Sequence, residues 1–222
     1  MIDRIIEIFQ RAPRVAILMS GQGSNAEVIL QNRDQYPNIH FVSVITDNPQ
    51  SRAHSLSCEY GIDYQFVAGS VKSQELRIDY FKRLGKILDE MQIDVLIYAG
   101  FMKVAPAFFV EKYPGINIHP ADLTIVDENG YPRYRGIRTI EAAIENGETY
   151  IASTVHVVED KVDCGAILAV SKKLHLDKES KMNTKDLHEK LKLECEHTCF
   201  PYVLKKLSEG SLGRNEKFSL SL

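Results

Sequence analysis

No apolar run in the sequence approaches the ~20 consecutive residues that a transmembrane helix needs. One of the longest, Asp94-Val-Leu-Ile-Tyr-Ala-Gly-Phe-Met102, falls far short of that length. The N-terminal stretch from Met1 to Gln10 carries acids among its apolar residues and lacks a small-residue cleavage site, so it does not have the pattern of a secretory signal. The sequence therefore predicts a cytoplasmic protein without a membrane span.

The chain also lacks a strong charge of either sign and a paired cysteine pattern. Its formal net charge is -3, which gives no bulk attraction to nucleic acid or to an anionic membrane. The four cysteines have no metal-type spacing, and 222 residues need no disulfide framework. We therefore predict no nucleic-acid partner, no membrane partner, no metal, and buried or bystander thiols at Cys58, Cys164, Cys195 and Cys199.

What the chain does contain is an alternation of two patterns. Apolar runs rich in β-branched residues alternate with longer segments of helical period, which is typical of βαβ units around a mostly parallel sheet. Apolar residues make up 44% and charged residues 26% of the chain, which are ordinary values for a globular protein. The sequence therefore predicts an α/β fold in a single domain over 1–222, with a loose C-terminal tail over 210–222.

The strands are predicted over 14–19, 40–46, 94–99, 115–119, 152–158 and 166–172. The helices are predicted over 25–34, 51–60, 73–91, 102–113, 138–146 and 184–209. Strands that end near Ser20, Asp47, Gly100 and His119 would meet at one edge of a parallel sheet, where open α/β folds bind ligands. Residues 123–136 are predicted as a loop with a hairpin turn at Glu128-Asn-Gly-Tyr131.

A glycine-rich segment, Met19-Ser-Gly-Gln-Gly-Ser-Asn25, joins the first strand to the first helix. Backbone N–H groups at such a helix start hold an anion, with phosphate as the natural guest. The same segment matches G-x-G-x-x-A through Gly21, Gly23 and Ala26, and Asp47 ends the second strand, as a dinucleotide site requires. A nicotinamide-dependent oxidoreductase and a tight turn without any ligand are thus alternatives to a phosphate site.

Asn117 and His119 lie two residues apart in one predicted strand and therefore share a face. An amide donor beside an imidazole suits attack on a carbonyl, because the pair stabilises an oxyanion and moves a proton. Asp163, in a partly apolar loop, is placed to tune an imidazole or bind a water. His156 is interpreted as a structural strand residue. This set has no Ser or Cys nucleophile, so direct transfer between two bound substrates remains.

Several motifs occur in a characteristic order along residues 14–209. They are Ser20-Gly-Gln-Gly-Ser-Asn25, Ala99-Gly-Phe-Met102, Asn117-Ile-His-Pro120, Gly136-Ile-Arg-Thr139, Ala143-Ile-Glu-Asn-Gly147, Thr154-Val-His156 and Val162-Asp-Cys-Gly165. The set resembles the folate-dependent formyltransferases, and within them the phosphoribosylglycinamide formyltransferases. The resemblance implies a Rossmann-like, doubly wound domain with helices on both faces. It also implies formyl transfer from 10-formyltetrahydrofolate, as co-substrate, to the amine of glycinamide ribonucleotide in purine biosynthesis.

The resemblance further implies a role for each matching residue. Asn117 would be the oxyanion donor, His119 the general acid, and Asp163 the carboxylate that raises the proton affinity of the imidazole and organises a proton-shuttling water. Glu196 would contact the glycinamide end of the substrate. The ribonucleotide phosphate would be held by Gly23, Ser24 and Asn25. The folate would be contacted by Phe101, Met102, Lys103, Val104 and Asn117, and by Lys82 or Arg83.

One segment departs from the family pattern. After His119-Pro120 the family usually has a serine, a short apolar-proline run and Tyr-Pro-Gly, whereas residues 121–136 form a segment longer by several residues. This loop could be a lid, a specificity element for another amine, or a neutral hairpin.

Alternatives therefore remain for the activity. An amino sugar nucleotide or a charged tRNA could be the acceptor, although near-neutral charge and the lack of an additional C-terminal domain argue against tRNA. Hydrolysis of the formyl folate is another option, but it usually comes with an N-terminal regulatory domain, for which thirteen residues leave no room. A non-enzymatic nucleotide-binding module is the last alternative.

The expected partners are small molecules, and the expected state is a monomer or a homodimer.

Overall fold

The computed structural model describes residues 1–176 and 183–212. Its strands are β1 (Arg14–Met19), β2 (His40–Thr46), β3 (Asp63–Phe66), β4 (Val95–Tyr98), β5 (Gly115–His119), β6 (Tyr150–Ile151), β7 (Thr154–Val157), β8 (Ile167–Val170) and β9 (Leu174–His175). Its helices are α1 (Ile2–Phe9), α2 (Ser24–Gln31), α3 (Ala53–Tyr60), α4 (Gln74–Glu90), α5 (Ala107–Lys112), α6 (Thr139–Glu145), α7 (Thr184–Leu191) and α8 (His197–Ser208). A 3₁₀ turn spans Arg33–Gln35, and a π-helical turn over Lys192–Glu196 joins α7 to α8.

The central sheet has seven strands in the order β3-β2-β1-β4-β5-β7-β8. The first five strands in that order are parallel, whereas β7 and β8 pair antiparallel. β6 and β9 form a separate two-stranded sheet. The direction of winding reverses between β1 and β4, and open α/β sheets bind ligands at such a switch point. The predicted Rossmann-like α/β class, with its mostly parallel sheet, is confirmed.

The core consists of apolar layers on the two faces of this sheet. Because successive side chains of a strand point to opposite faces, Ile17 joins one layer and Leu18 the other. The Ile17 layer includes Phe200 of α8, and the Leu18 layer includes Phe81 of α4 and Phe109 of α5. Helices on both faces therefore cover the strands, and the carboxyl ends of the strands stay accessible.

Several predicted bounds differ from the structure. The helix expected over 102–113 begins only at Ala107, because Pro106 precedes it in an extended conformation and acts as its N-cap. The helix expected over 184–209 is interrupted by the π-helical turn. α1, β3 and the pair β6 and β9 were not predicted. Of the tail predicted over 210–222, residues 213–222 lie outside the described residues.

The long loop after β5 contains the predicted turn. Asp127 and Tyr131 are hydrogen-bonded through their backbones, Val126 bridges Pro132, and Gly130 has a φ of 79°. That φ lies in the left-handed region that favours glycine. The hairpin predicted at residues 128–131 is therefore confirmed. No helix in the described parts of the chain is long and apolar enough to cross a membrane.

Candidate active site

A cavity of about 520 Å³ opens at the carboxyl ends of β1, β4 and β5. Its wall is formed by the loop after β1, the loop after β4, the end of β5, the loop after β7 and one face of the helical segment around residue 192. The cavity lies at the switch point of the sheet, where the predicted strand ends were expected to meet. It contains all the predicted site residues except Lys82 and Arg83.

Three side chains form a row across neighbouring strands at the base of this cavity. Tyr98 of β4 is the register partner of Asn117 in β5, and Asn117 is the register partner of His156 in β7. The amide nitrogen of Asn117 lies 3.1 Å from Nε2 of His156. Interpreting His156 as a purely structural residue does not account for this contact, because its ring lines the cavity beside the amide.

His119, at the end of β5, is held between two acceptors. Its Nε2 atom lies 2.8 Å from the carbonyl oxygen of Tyr134, and its Nδ1 atom lies 3.4 Å from Oδ2 of Asp163. Since a carbonyl oxygen only accepts hydrogen bonds, Nε2 carries a hydrogen atom in this arrangement. Asp163 has a φ of 53°, accepts a hydrogen bond from the N–H of Gly136 and lies 3.5 Å from Nε2 of His156. The carboxylate thus links both imidazoles.

Burial and charge oppose one another in this cluster. Burial lowers the pKa of His119, and the nearby Asp163 carboxylate and the Tyr134 carbonyl offset this lowering only in part. Burial alone would raise the pKa of Asp163, but hydrogen bonding to His156, the charge of His119 and the Gly136 N–H together hold it below its usual value. Asp163 is therefore ionised at neutral pH and favours the protonated form of His119.

The glycine-rich loop that is predicted to hold an anion leads directly into the start of α2. Gly23 occupies the N-cap position with a φ of 73°, and a Cβ atom there would collide with the side chain of Met19. Asn25, in the first turn, donates a hydrogen bond of 2.6 Å to Oε2 of Glu196. Burial raises the pKa of Glu196, a residue that is only 7% exposed. Asn25, one of the predicted phosphate residues, and Glu196 are thus in contact, and both line the cavity.

Two further side chains reach this end of the cavity from the same helical segment as Glu196. His188 and Lys192 precede it at intervals of four residues, and all three line the cavity. Such spacing places side chains on one face of a helix. The π-helical turn over Lys192–Glu196 lies at this point, and π-helical turns are frequent at functional sites. Sequence reasoning missed both residues, because a lone lysine and histidine carry no motif.

The predicted folate residues form another part of the cavity wall. Phe101, Met102, Lys103 and Val104 all line the cavity, on a loop rather than on the predicted helix. The ammonium group of Lys103 forms an ion pair with Asp47 and lies 5.0 Å from the centre of the Tyr80 ring. Only 9% of the Asp47 side chain is exposed. The Asp47 carboxylate, which a dinucleotide site would use to bind a ribose hydroxyl, is thus already paired with Lys103. This pairing disfavours the oxidoreductase interpretation.

The predicted basic folate contact is not placed at the cavity. Lys82 and Arg83 lie on α4, outside the cavity wall. The guanidinium of Arg83 instead donates to the carbonyl of Ala68 at 2.9 Å and to Asp79 at 3.0 Å. α4 covers the face of the sheet with its apolar side, so its basic residues point elsewhere. A role of either residue in folate binding stays a prediction.

Within residues 1–176 and 183–212, no group of three or more His, Cys, Asp and Glu side chains is arranged to hold a metal ion. The cavity wall holds an amide donor, two imidazoles and a carboxylate beside the glycine-rich loop at the start of α2. These groups suit the transfer of an acyl-type group to a phosphorylated small molecule.

A doubly wound sheet with a ligand cavity at the carboxyl ends of its parallel strands defines the Rossmann-like α/β class of small-molecule-binding domains. Within this class the chain belongs to the formyl transferase family, whose model matches residues 13–204. The family membership indicated by the motifs is thereby confirmed.

Individual proteins of known name are similar over most of the chain. The trifunctional purine biosynthetic protein adenosine-3 of Drosophila melanogaster is 33% identical over 208 residues, which cover 91% of this chain and 14% of that protein. The phosphoribosylglycinamide formyltransferase of Haemophilus influenzae is 28% identical over 203 residues, covering 90% and 89%. The crystal structure of the Bacillus halodurans phosphoribosylglycinamide formyltransferase has a TM-score of 0.73 at 29% identity, covering 87% of this chain and 94% of that one. The chain spans only 14% to 20% of the length of the trifunctional relatives.

Proposed function

We propose that this chain transfers the formyl group of 10-formyltetrahydrofolate to the amine of glycinamide ribonucleotide, a reaction of purine biosynthesis. The observation that carries the proposal is the presence of Asn117, His119 and Asp163 in one cavity with the anion cradle of residues 23–25. Membership of the formyl transferase family and likeness to two phosphoribosylglycinamide formyltransferases support it.

The reaction needs groups that stabilise charge and move one proton. The neutral amine attacks the formyl carbonyl, and negative charge develops on the carbonyl oxygen. The Asn117 amide donates a hydrogen bond to this oxyanion, and the positive charge of the protonated His119 ring stabilises it; a preorganised group of this kind is commonly worth ~10²–10³ in rate. When the intermediate collapses, the bond to N10 of the folate breaks. The proton lost by the amine reaches that nitrogen through a water held by Asp163.

The two substrates occupy opposite ends of the cavity in this proposal. The ribonucleotide phosphate binds to the backbone N–H groups of Gly23, Ser24 and Asn25, where the positive end of α2 favours an anion. Lys192 adds a cation on the same side, and Glu196 contacts the glycinamide end. The folate lies against the wall formed by residues 101–104, next to Asn117. This order brings the amine and the formyl group together over His119 and Asp163.

The experiment is a spectrophotometric assay of 10-formyltetrahydrofolate deformylation by the purified protein. The proposal predicts turnover that depends on glycinamide ribonucleotide. Turnover without any amine would instead indicate a hydrolase, and preference for an amino sugar nucleotide would indicate a different acceptor. If the protein shows no turnover, with either acceptor or without an amine, the proposal is contradicted.

We also propose a cytoplasmic enzyme that is a monomer or a homodimer. Light scattering at assay concentration tests the oligomeric state.

A further inference from the structure

Two backbone groups of the long loop after β5 contact the proposed catalytic cluster, and a single residue separates them. The carbonyl oxygen of Tyr134 accepts a hydrogen bond from Nε2 of His119, and the N–H of Gly136 donates to Asp163, both at 2.8 Å. Arg135 lies between these two residues in the chain, and its side chain lies outside the cavity wall. We infer that Arg135 is a positioning residue, whose guanidinium keeps these two backbone groups in place against His119 and Asp163. This inference rests on the proposed function, since it concerns the cluster that performs that reaction.

The guanidinium of Arg135 joins the hairpin to the loop that carries Asp163. Its Nη2 atom lies 3.6 Å from Oδ2 of Asp127, at the base of the hairpin, and its Nη1 atom donates to Sγ of Cys164 at 3.7 Å. Asp127 is itself fixed, because its Oδ1 atom accepts hydrogen bonds from two N–H groups of the turn. Cys164 directly follows Asp163 in the chain. The side chain of Arg135 therefore connects the hairpin turn to the backbone beside the proposed catalytic carboxylate.

The backbone on both sides of this connection adopts an uncommon conformation. Asp163 has a φ of 53° and Gly136 a φ of 82°, both in the left-handed region that favours glycine. A residue with a side chain stays in that region only where its surroundings hold it there. The ammonium group of Lys161 lies 3.0 Å from the centre of the Tyr131 ring, which packs the same two loops together at a second point. Asp163 is thus held in an unfavourable conformation at the interface that Arg135 spans.

The charge of Arg135 and its positioning role would act on His119 in opposite directions. Burial lowers the pKa of His119, the Asp163 carboxylate and the Tyr134 carbonyl raise it, and His156 lowers it. Loss of a nearby positive charge would by itself raise this pKa. Movement of the carboxylate or the carbonyl away from the ring would lower it, because both groups favour the protonated form. The direction of the shift therefore distinguishes the two effects.

The test compares Arg135→Gln with Arg138→Gln, each of which removes one guanidinium from the same segment of the chain. The side chain of Arg138 is 73% exposed, and it pairs with Glu145 at 3.5 Å. We expect Arg135→Gln to lower kcat about tenfold, to leave both KM values within about twofold of wild type, and to move the alkaline limb of the kcat profile to lower pH. Arg138→Gln should match the wild type. Added to Asp163→Asn, Arg135→Gln should lower kcat by less than about twofold more, because it acts through that carboxylate.

An alkaline limb that stays in place or moves to higher pH in Arg135→Gln would overturn the inference, since the guanidinium would then not position the cluster. An equal shift in Arg138→Gln, or the full loss of kcat repeated on the Asp163→Asn background, would also overturn it. If the wild type transfers no formyl group, an NMR titration of the His119 ring in the wild type and in Arg135→Gln decides the matter separately. A lower pKa in the variant supports the positioning role, whereas an equal or higher pKa refutes it.

Discussion

The Nε2 atom of His119 donates a hydrogen bond to the backbone carbonyl oxygen of Tyr134, with 2.8 Å between the two atoms. Tyr134 belongs to the loop that is longer than the family pattern. Two residues further on, the N–H of Gly136 donates to Asp163. The loop therefore contacts both the imidazole and the carboxylate of the proposed catalytic cluster, which disfavours its interpretation as a neutral hairpin.

The anchor of this loop provides the first prediction. The Tyr134 hydroxyl donates to Glu148 at 2.6 Å and fixes the segment whose carbonyl holds His119. Tyr134→Phe removes this anchor, and a small misplacement of a reacting group is costly. We expect kcat to fall by about tenfold, with both KM values within twofold of wild type, measured by steady-state kinetics.

Tyr131→Phe is the matched control, because Tyr131 lies in the same loop but its side chain is exposed. This variant should retain wild-type kcat. Equal kcat values for Tyr134→Phe and the wild type would show that the loop does not position His119.

Asp163→Asn tests the carboxylate through pH dependence. Burial lowers the pKa of His119 and Asp163 raises it, so the substitution lowers this pKa further. If protonated His119 is the active form, activity is lost as pH rises through that pKa. The alkaline limb of the kcat profile should therefore move to lower pH, and kcat should fall by ~10²–10³-fold. Kinetics over a pH series measure both effects.

Asp160→Asn is the control for this experiment, since Asp160 lies in the same loop and is exposed. Its profile should match the wild type. An alkaline limb that stays in place in Asp163→Asn would remove the Asp163 and His119 pair from the rate-determining chemistry.

Glu196→Gln should separate stability from function. Burial raises the pKa of Glu196 in the folded protein, so folding disfavours its ionised form. The stability that such a group contributes is fully present below its pKa in the unfolded chain, and it is lost as pH rises through its pKa in the folded protein. Glutamine avoids the buried charge. We expect the free energy of unfolding of Glu196→Gln at pH 7 to exceed that of the wild type by on the order of 1 kcal/mol. The KM of this variant for the ribonucleotide should increase about tenfold.

Denaturant titrations at pH 7 and pH 4 measure this stability change. The gain should disappear at the lower pH, where the wild-type carboxyl is protonated. A destabilised Glu196→Gln at pH 7 would show that the carboxylate contributes more through Asn25 than burial costs.

Ligand-dependent melting distinguishes the two interpretations of the glycine-rich loop. A ligand that binds only the native state raises the melting temperature, by an amount that grows with its concentration over Kd. We expect glycinamide ribonucleotide to raise it and NAD to leave it unchanged, because Asp47 is paired with Lys103. Stabilisation by NAD alone would favour the oxidoreductase.

The sequence pattern was sufficient for the main strands and insufficient for the peripheral elements. β1, β2 and β5 have the predicted bounds, because their β-branched apolar runs are buried on both faces. β3 was not predicted, because Asp63-Tyr-Gln-Phe66 is a polar edge strand that forms only by pairing with β2. The position of Pro106, which delays α5, was visible in the sequence and should have shortened the predicted helix.

The site shows a similar division. Asn117 and His119 could be predicted as neighbours from their spacing within one strand, since that relation is local. The contact of His156 with Asn117 could not, because it depends on the antiparallel register between β5 and β7. The hydrogen bond from His119 to the Tyr134 carbonyl could not be predicted either, because every residue has a backbone carbonyl and the sequence does not show which one is nearby. Lys103 was found as a cavity residue, but its ion pair with Asp47 required the fold to bring two loops together.

We propose that His119 takes part directly in formyl transfer in the cavity at the end of β5. The most direct test is the rate of glycinamide ribonucleotide formylation by His119→Ala, together with calorimetric binding of the ribonucleotide to the same preparation. We expect a fall in kcat of ~10²–10³-fold or more, with the Kd for the ribonucleotide within about twofold of wild type. Full activity with intact binding would contradict it, because the imidazole would then have no part in the reaction.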